Sequence, residues 1–167
     1  LAINSGSSIT SKSNTDTNSS ASETAGAAGN IDITSSIVKL NSGTISTEAI
    51  NAGGGNITLN DALTLVAENN SLIEASTTLN TAPRSDISGG QITLNVSDKL
   101  NLSNSQLVAK ANNTAGQNGF EVQGGSVAIN PDSSNSNLQM LMMEGSQINA
   151  SAVNANGGKV KLNANYV

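Results

Sequence analysis

The segment GGGNITLN, Gly53 to Asn60, returns as GGQITLN at Gly89 to Asn95, GGSVAIN at Gly124 to Asn130 and GGKVKLN at Gly157 to Asn163. A weaker copy, GNIDIT, spans Gly29 to Thr34. The first apolar residue of each copy falls at Ile31, Ile57, Ile92, Val127 and Val160, giving spacings of 26, 35, 35 and 33 residues. Self-similarity at that period marks an architecture made by stacking one supersecondary unit on the next.

Inside each copy apolar residues alternate with Thr, Asn, Gln or Lys, the period of a strand with one buried face. In-register stacking predicts one column of Ile57, Ile92, Val127 and Val160 and a second of Leu59, Leu94, Ile129 and Leu162, at the roughly 4.8 Å spacing of adjacent strands. Two further strands follow in each unit. VKLNSGTIST (Val38 to Thr47), LNLSNSQLVAK (Leu100 to Lys110) and LMMEGSQINA (Leu141 to Ala150) share apolar alternation, a small polar corner, and a second alternating run. LTLVAENNSLIEA has a slightly longer corner, and LAINSGSSITS at Leu1 to Ser11 enters the scheme midway. The expected fold is therefore an all-β solenoid, a right-handed parallel β-helix of three-stranded coils, about four to five of them, since parallel crossovers are right-handed. The pairs Gly54 and Gly55, Gly89 and Gly90, Gly124 and Gly125, and Gly157 and Gly158 mark structural corners where the backbone turns tightly or takes positive φ.

The connections vary while the frame does not. Loops are expected at residues 10–28, 76–88 and 110–123, with an insertion at 131–137, and in a solenoid such loops carry whatever specificity exists. One unit buries too few aliphatic side chains to offset the entropy of ordering it, so neighbours must stabilise each other. Residues 1–167 read as a single segment, uncapped at both ends, of a longer repeat protein, or as a unit whose ends meet other copies in a head-to-tail filament.

Composition agrees with a thin aliphatic core. Apolar residues make up 36% of the chain, with one Phe, one Tyr and no Trp, so a bulky aromatic core is excluded. The 12 acidic and 7 basic residues are scattered singly and the net charge is -5. Without a basic patch, nucleic acid and anionic membranes are poor partners, and no apolar run is long enough for a transmembrane helix. Cysteine and histidine are absent, which removes disulfides and thiolate or imidazole metal sites.

The GGNITLN, LTL and SLIEA units, separated by Asn- and Gly-rich spacers such as NAGGGN and NTAGQNG, resemble the passenger repeats of filamentous-haemagglutinin-type two-partner-secretion exoproteins. The likeness spans nearly the whole chain. It implies a right-handed parallel β-helix, export through an outer-membrane secretion partner, and an extracellular or bacterial cell-surface role in adhesion, biofilm or matrix. Expected partners are adjacent coils, other copies, and host or matrix glycans or proteins.

Parallel β-helices also house polysaccharide lyases and hydrolases, which need converging carboxylates. Asp61 and Asp98 follow equivalent strands and are expected on one corner; Glu68 and Glu74 share a unit with Asp61, and Lys99 or Lys110 lies near in sequence. With no D-x-D and no acidic residue repeated in register, these read as solvated charges, so no catalytic, metal or cofactor site is assigned and an enzyme is not expected. The calcium nonapeptide GGxGxDxUx is missing, and Thr34, Thr58 and Thr93 do not make the regular T-x-T rank that ice binding requires. Asn60, Asn95, Asn130 and Asn163 are expected to form an amide ladder, with Asn4 at a similar strand end. In LQMLMMEG, alternation sends Met143 into the core and Met142 outward, where Met142, with Phe120 in its loop, offers a lateral contact.

Overall fold

The computed structural model describes residues 1–14, 26–80, 87–114, 122–130 and 138–167. Among them there is no helix. The chain enters through β1 (Ala2–Ile3) and β2 (Ser8–Asn14) and continues with β3 (Ile31–Thr34), β4 (Ile37–Asn41) and β5 (Thr44–Ile50). Next come β6 (Ile57–Glu68), β7 (Leu72–Leu79), β8 (Ile87–Ser88), β9 (Gln91–Ser103), β10 (Gln106–Asn113) and β11 (Val122–Gln123). β12 (Ser126–Ile129), β13 (Leu138–Glu144), β14 (Gln147–Val153), β15 (Lys159–Leu162) and β16 (Ala164–Tyr166) complete it.

Every pairing between these strands is parallel and joins corresponding strands of successive repeats. A nine-stranded sheet runs β1-β4-β6-β9-β12-β15, with β3 on β6, β13 on β9 and β16 on β13; a five-stranded sheet runs β14-β10-β7-β5-β2. This all-β arrangement of parallel sheets is compatible with a β-helical solenoid. Ile31 pairs with Ile57, Ile57 with Ile92, Ile92 with Val127 and Val127 with Val160, and the Leu59, Leu94, Ile129 and Leu162 row is likewise in register.

Two details differ from the sequence reading. β6 and β9 each contain what reads as two strands, because one extra residue enters from β6 between Leu59 and Ala62 and one from β9 between Ala62 and Thr64. Such bulges bend a ladder without ending it. The third strands also run longer than expected, to Asn14, Leu79 and Asn113, and β8 and β11 fall inside segments read as loops. Backbone pairing with neighbours on both sides holds the extensions of β7 and β10, β5 alone pairs with that of β2, and Leu79, Ala111 and Val122 make a second small apolar cluster beside the former. Phe120 and the insertion 131–137 lie outside the described residues.

The main core contains Leu40, Ile45, Leu65, Ile73, Leu100 and Leu107 together with the inner members of the two Ile/Leu/Val columns, all almost wholly buried. Each such side chain is worth about 1.5–3 kcal/mol of hydrophobic free energy. The columns end on exposed residues: Val160 and Leu162 keep 48% and 42% of their surface, although Val127 and Ile129 beneath them have none. An inward-facing residue needs a neighbour on each side, and among the described strands β15 pairs only with β12.

The corner glycines act through space and not through φ. Positive φ among glycines occurs at Gly6 and Gly145, and at neither member of any Gly pair. A Cβ on Gly55 would strike the carbonyl oxygens of Gly29 and Ala28, and one on Gly90 the Gly55 carbonyl oxygen and, at 2.7 Å, the Ala75 Cβ. On Gly125 it would meet the Gly90 carbonyl oxygen at 2.8 Å and the Ala109 Cβ at 2.9 Å, and on Gly158 the carbonyl oxygens of Ala150 and Gly125. Gly54, Gly89 and Gly124 in turn abut the backbones of Gly90, Gly125 and Gly158. Each second glycine thus sits under its neighbour's backbone, and Gly90, Gly125 and Gly158 also lie against an alanine of the five-stranded sheet.

Positive φ is instead concentrated at the corners after the second strand, in Ser42, Asn69, Asn70 and Asn104 beside Gly6 and Gly145. Asn and Gly tolerate this left-handed region best, which explains the small polar corners seen in the sequence.

The interlock gives a direct prediction. Gly90→Ala should destabilise the chain by about 2–4 kcal/mol, because the new methyl meets backbone that cannot rotate away. Gly157→Ala, with nothing within 4 Å of its Cβ position, should stay within about 0.5 kcal/mol of the parent in urea unfolding.

Candidate functional site

Of the carboxylates weighed from the sequence, Glu74 lies on a different sheet from Glu68 and Asp98. Glu68 ends β6 in the large sheet, whereas Glu74 lies in β7 of the five-stranded sheet and pairs with Lys110 at 3.2 Å. Asp98 is exposed at the bulge of β9, and the Asp61 side chain is outside the described set. Lys99 stands in register with Thr64 and Met140, away from Lys110 on β10. Among the described residues, no three His, Cys, Asp or Glu side chains come together as a metal site. Among the described residues no helix is long and apolar enough to cross a membrane.

The outer side of the five-stranded sheet carries two cross-strand ion pairs, Lys12 with Glu48 at 2.9 Å and Lys110 with Glu74. On the same face Ser46 and Val108 flank Glu74, and Ser76 stands between Glu48 and Lys110; all three point outward by alternation and are nonetheless buried. Because the Lys12 and Glu48 side chains are largely exposed, their pair fixes local geometry more than it adds stability.

The asparagine row is a ladder at one step. Asn95 Nδ2 donates to Asn60 Oδ1 at 3.1 Å, and Thr34 forms the row's lower end because it pairs with Asn60. Thr34 therefore stands outside the column of Asp32, Thr58, Thr93, Ala128 and Lys161. Asn130 leaves the ladder for the backbone: the Val96 amide donates to its Oδ1 at 2.8 Å and its Nδ2 donates to the Val96 carbonyl at 2.6 Å. It is buried, with φ of 46°. Its amide bonds the Val96 backbone just past the end of β12 at Ile129. Sequence reasoning grouped Asn130 with the other asparagines; the following Pro131 was the available signal that this position ends a strand.

The methionines make the most distinctive exposed surface. Met140 faces outward between Lys99 and Tyr166 in register, and Met142 lies outward beside Asn101. Ile37 stands exposed in the same row as Thr64 and Lys99. Met143 pairs with buried Leu102 and so faces the interior column, as alternation predicts, yet 41% of it stays exposed. The reason is that of Val160 and Leu162: β16 covers β13 only from Leu138 to Met140. Tyr166 and Val153 are also exposed at this end.

No family model, curated protein or solved structure matches this chain.

Substitution should separate the two asparagine roles. Asn130→Ala strands two buried backbone groups of Val96 and should cost about 2–4 kcal/mol, and Asn130→Gly, which keeps the left-handed φ accessible, should recover less than half of that. Asn95→Ala, at a half-exposed ladder position, should cost under about 1 kcal/mol in the same denaturant titration.

Proposed function

We propose that this chain is a structural and adhesive segment of an exported bacterial fibre. In this reading the parallel sheets are the faces of a right-handed β-helix of three-stranded coils, four to five in the described chain, at about one strand spacing per coil. The observation that carries it is the register: corresponding residues of successive repeats pair directly, so added repeats lengthen the stack without altering its cross-section. A rod of that kind suits the spacing of a binding tip from a surface, or the building of a matrix. The resemblance to filamentous-haemagglutinin-type passenger repeats supports the same reading and adds export through an outer-membrane partner. Met140, Met142 and Tyr166 supply an outward apolar patch for lateral contact with host or matrix material.

Beads coated with the 167-residue chain should adhere to host-cell or matrix glycans and proteins, and Met142→Lys should lower adhesion several-fold while leaving the circular dichroism spectrum unchanged. The chain should release no unsaturated or reducing ends from polygalacturonate or alginate, with or without Ca²⁺. Specific turnover abolished by Asp98→Ala would replace this reading with that of a carbohydrate-active β-helix.

A further inference from the structure

The oxidisable side chains of this protein are gathered in one place. The chain has three methionines and one tyrosine, and neither cysteine, tryptophan nor histidine. All three methionines lie in β13, and Tyr166 stands in register with Met140. Met140 and Met142 point outward two residues apart, beside Lys99 and Asn101 of β9. Met140 has a strand on each side of it, β9 and β16, and still keeps 44% of its surface in solvent. Packing does not require sulfur there. In the other repeats the Met140 position is held by Ile37, Thr64 and Lys99, and the Met142 position by Lys39, Val66 and Asn101. Those rows accept charged, polar and branched side chains alike, so what the two thioethers add is their reactivity.

We propose that Met140 and Met142 form an oxidation site that switches this outward patch from apolar to polar. The inference rests on the adhesive reading above and supplies its regulation. The oxidant is a peroxide. A sulfur lone pair attacks one oxygen of hydrogen peroxide, the O–O bond breaks as the S–O bond forms, and the proton of the transferred hydroxyl passes to the departing hydroxide. One peroxide thus gives one sulfoxide and one water, with two electrons moving from sulfur to peroxide. A dithiol reverses the step through a sulfoxide reductase, leaving thioether, disulfide and water. The sulfoxide oxygen is a polar acceptor that holds water, which an apolar patch must shed to meet a partner. Placement confines the effect to the surface. Leu138 and Leu141 of the same strand fill the core, and the β13 backbone pairs with β9 from Met140 to Glu144, so neither contact runs through the outward sulfurs. Met143 lies in the inner column beside Leu102, where an added oxygen would disturb packing, and its oxidation is a separate event.

The test uses the 167-residue chain carrying Met143→Leu, which keeps an aliphatic side chain in the inner column and leaves the outward pair as the only thioethers. After treatment with hydrogen peroxide, peptide masses should show one added oxygen at each of Met140 and Met142, at a rate close to that of free methionine. The oxidised chain should elute earlier from a phenyl column, and adhesion of beads coated with it should fall several-fold, with an unchanged circular dichroism spectrum. Methionine sulfoxide reductases for both epimers, with dithiothreitol, should restore retention and adhesion. Peroxide should not shift the retention of the chain that also carries Met140→Leu and Met142→Leu. Absence of oxygen at either sulfur, oxidation that leaves retention or adhesion as it was, or an equal shift in the leucine variant would overturn the inference. A reduced chain that adheres to nothing yet shows the reversible shift in retention would end the adhesive reading and support the oxidation site.

Discussion

The structure depends on the approach of glycine backbone to backbone at one corner of each repeat. Gly55, Gly90, Gly125 and Gly158 lie so close to the preceding repeat's carbonyl groups that no Cβ fits, and three of them also press on Ala75, Ala109 or Ala150. This contact brings the start of the first strand against the small inward residues of the third. Ala75, Ala109 and Ala150 lie where the glycines approach, while Leu and Ile make up most of the main core. Once the pair is seated, the period of two along each strand determines which residues point inward, because a slip of one residue would turn every side chain of that strand to the other face.

Polar corners complete the frame. Thr47 Oγ1 donates to the Gly55 carbonyl at 2.9 Å, and Thr77 Oγ1 donates to the Ser88 carbonyl, so buried hydroxyls satisfy oxygens that the tight corner leaves facing inward. The buried Ser71 hydroxyl donates to the Glu68 carbonyl and accepts from Gly43 N–H, and the buried Ser105 hydroxyl donates to the Ser103 carbonyl while the Ser105 backbone N–H donates to Ser146 Oγ. No buried side-chain nitrogen or oxygen among the described residues lacks a partner. The composition follows from this: Asn, Ser, Thr and Gly recur because each repeat must satisfy its bends from its own side chains or those of its neighbours.

How far the chain was legible from its residues depends on the range of the signal. The Gly-Gly-x-apolar-x-apolar-Asn frame revealed the strand rows and their register, since alternation and period are local properties. What it could not reveal was the role of the glycines, because tight turning, positive φ and close approach all select the same residue. The outer burial of Ser46 and Val108, which flank Glu74 in register, was also hidden, because cross-strand neighbours are remote in sequence. Val160, Leu162 and Met143 belong to the interior columns by pattern, but their exposure depends on what lies on the next strand, which no pattern within β13 or β15 encodes. Asn130 shows the same limit: its sequence neighbours place it in a ladder, whereas its amide bonds to Val96, 34 residues away in the chain.

The central claim is the parallel register of successive repeats. Because the chain has no cysteine, paired substitutions report on it without background. Thr58→Cys with Thr93→Cys joins residues that face each other across β6 and β9, within the roughly 4.4–6.8 Å Cα separation that a disulfide spans. Thr58→Cys with Asn95→Cys moves one partner two residues along the same outward face. Mild oxidation should cross-link the first pair in high yield and the second poorly, and equal or reversed yields would contradict the register on which the fold and its proposed function depend.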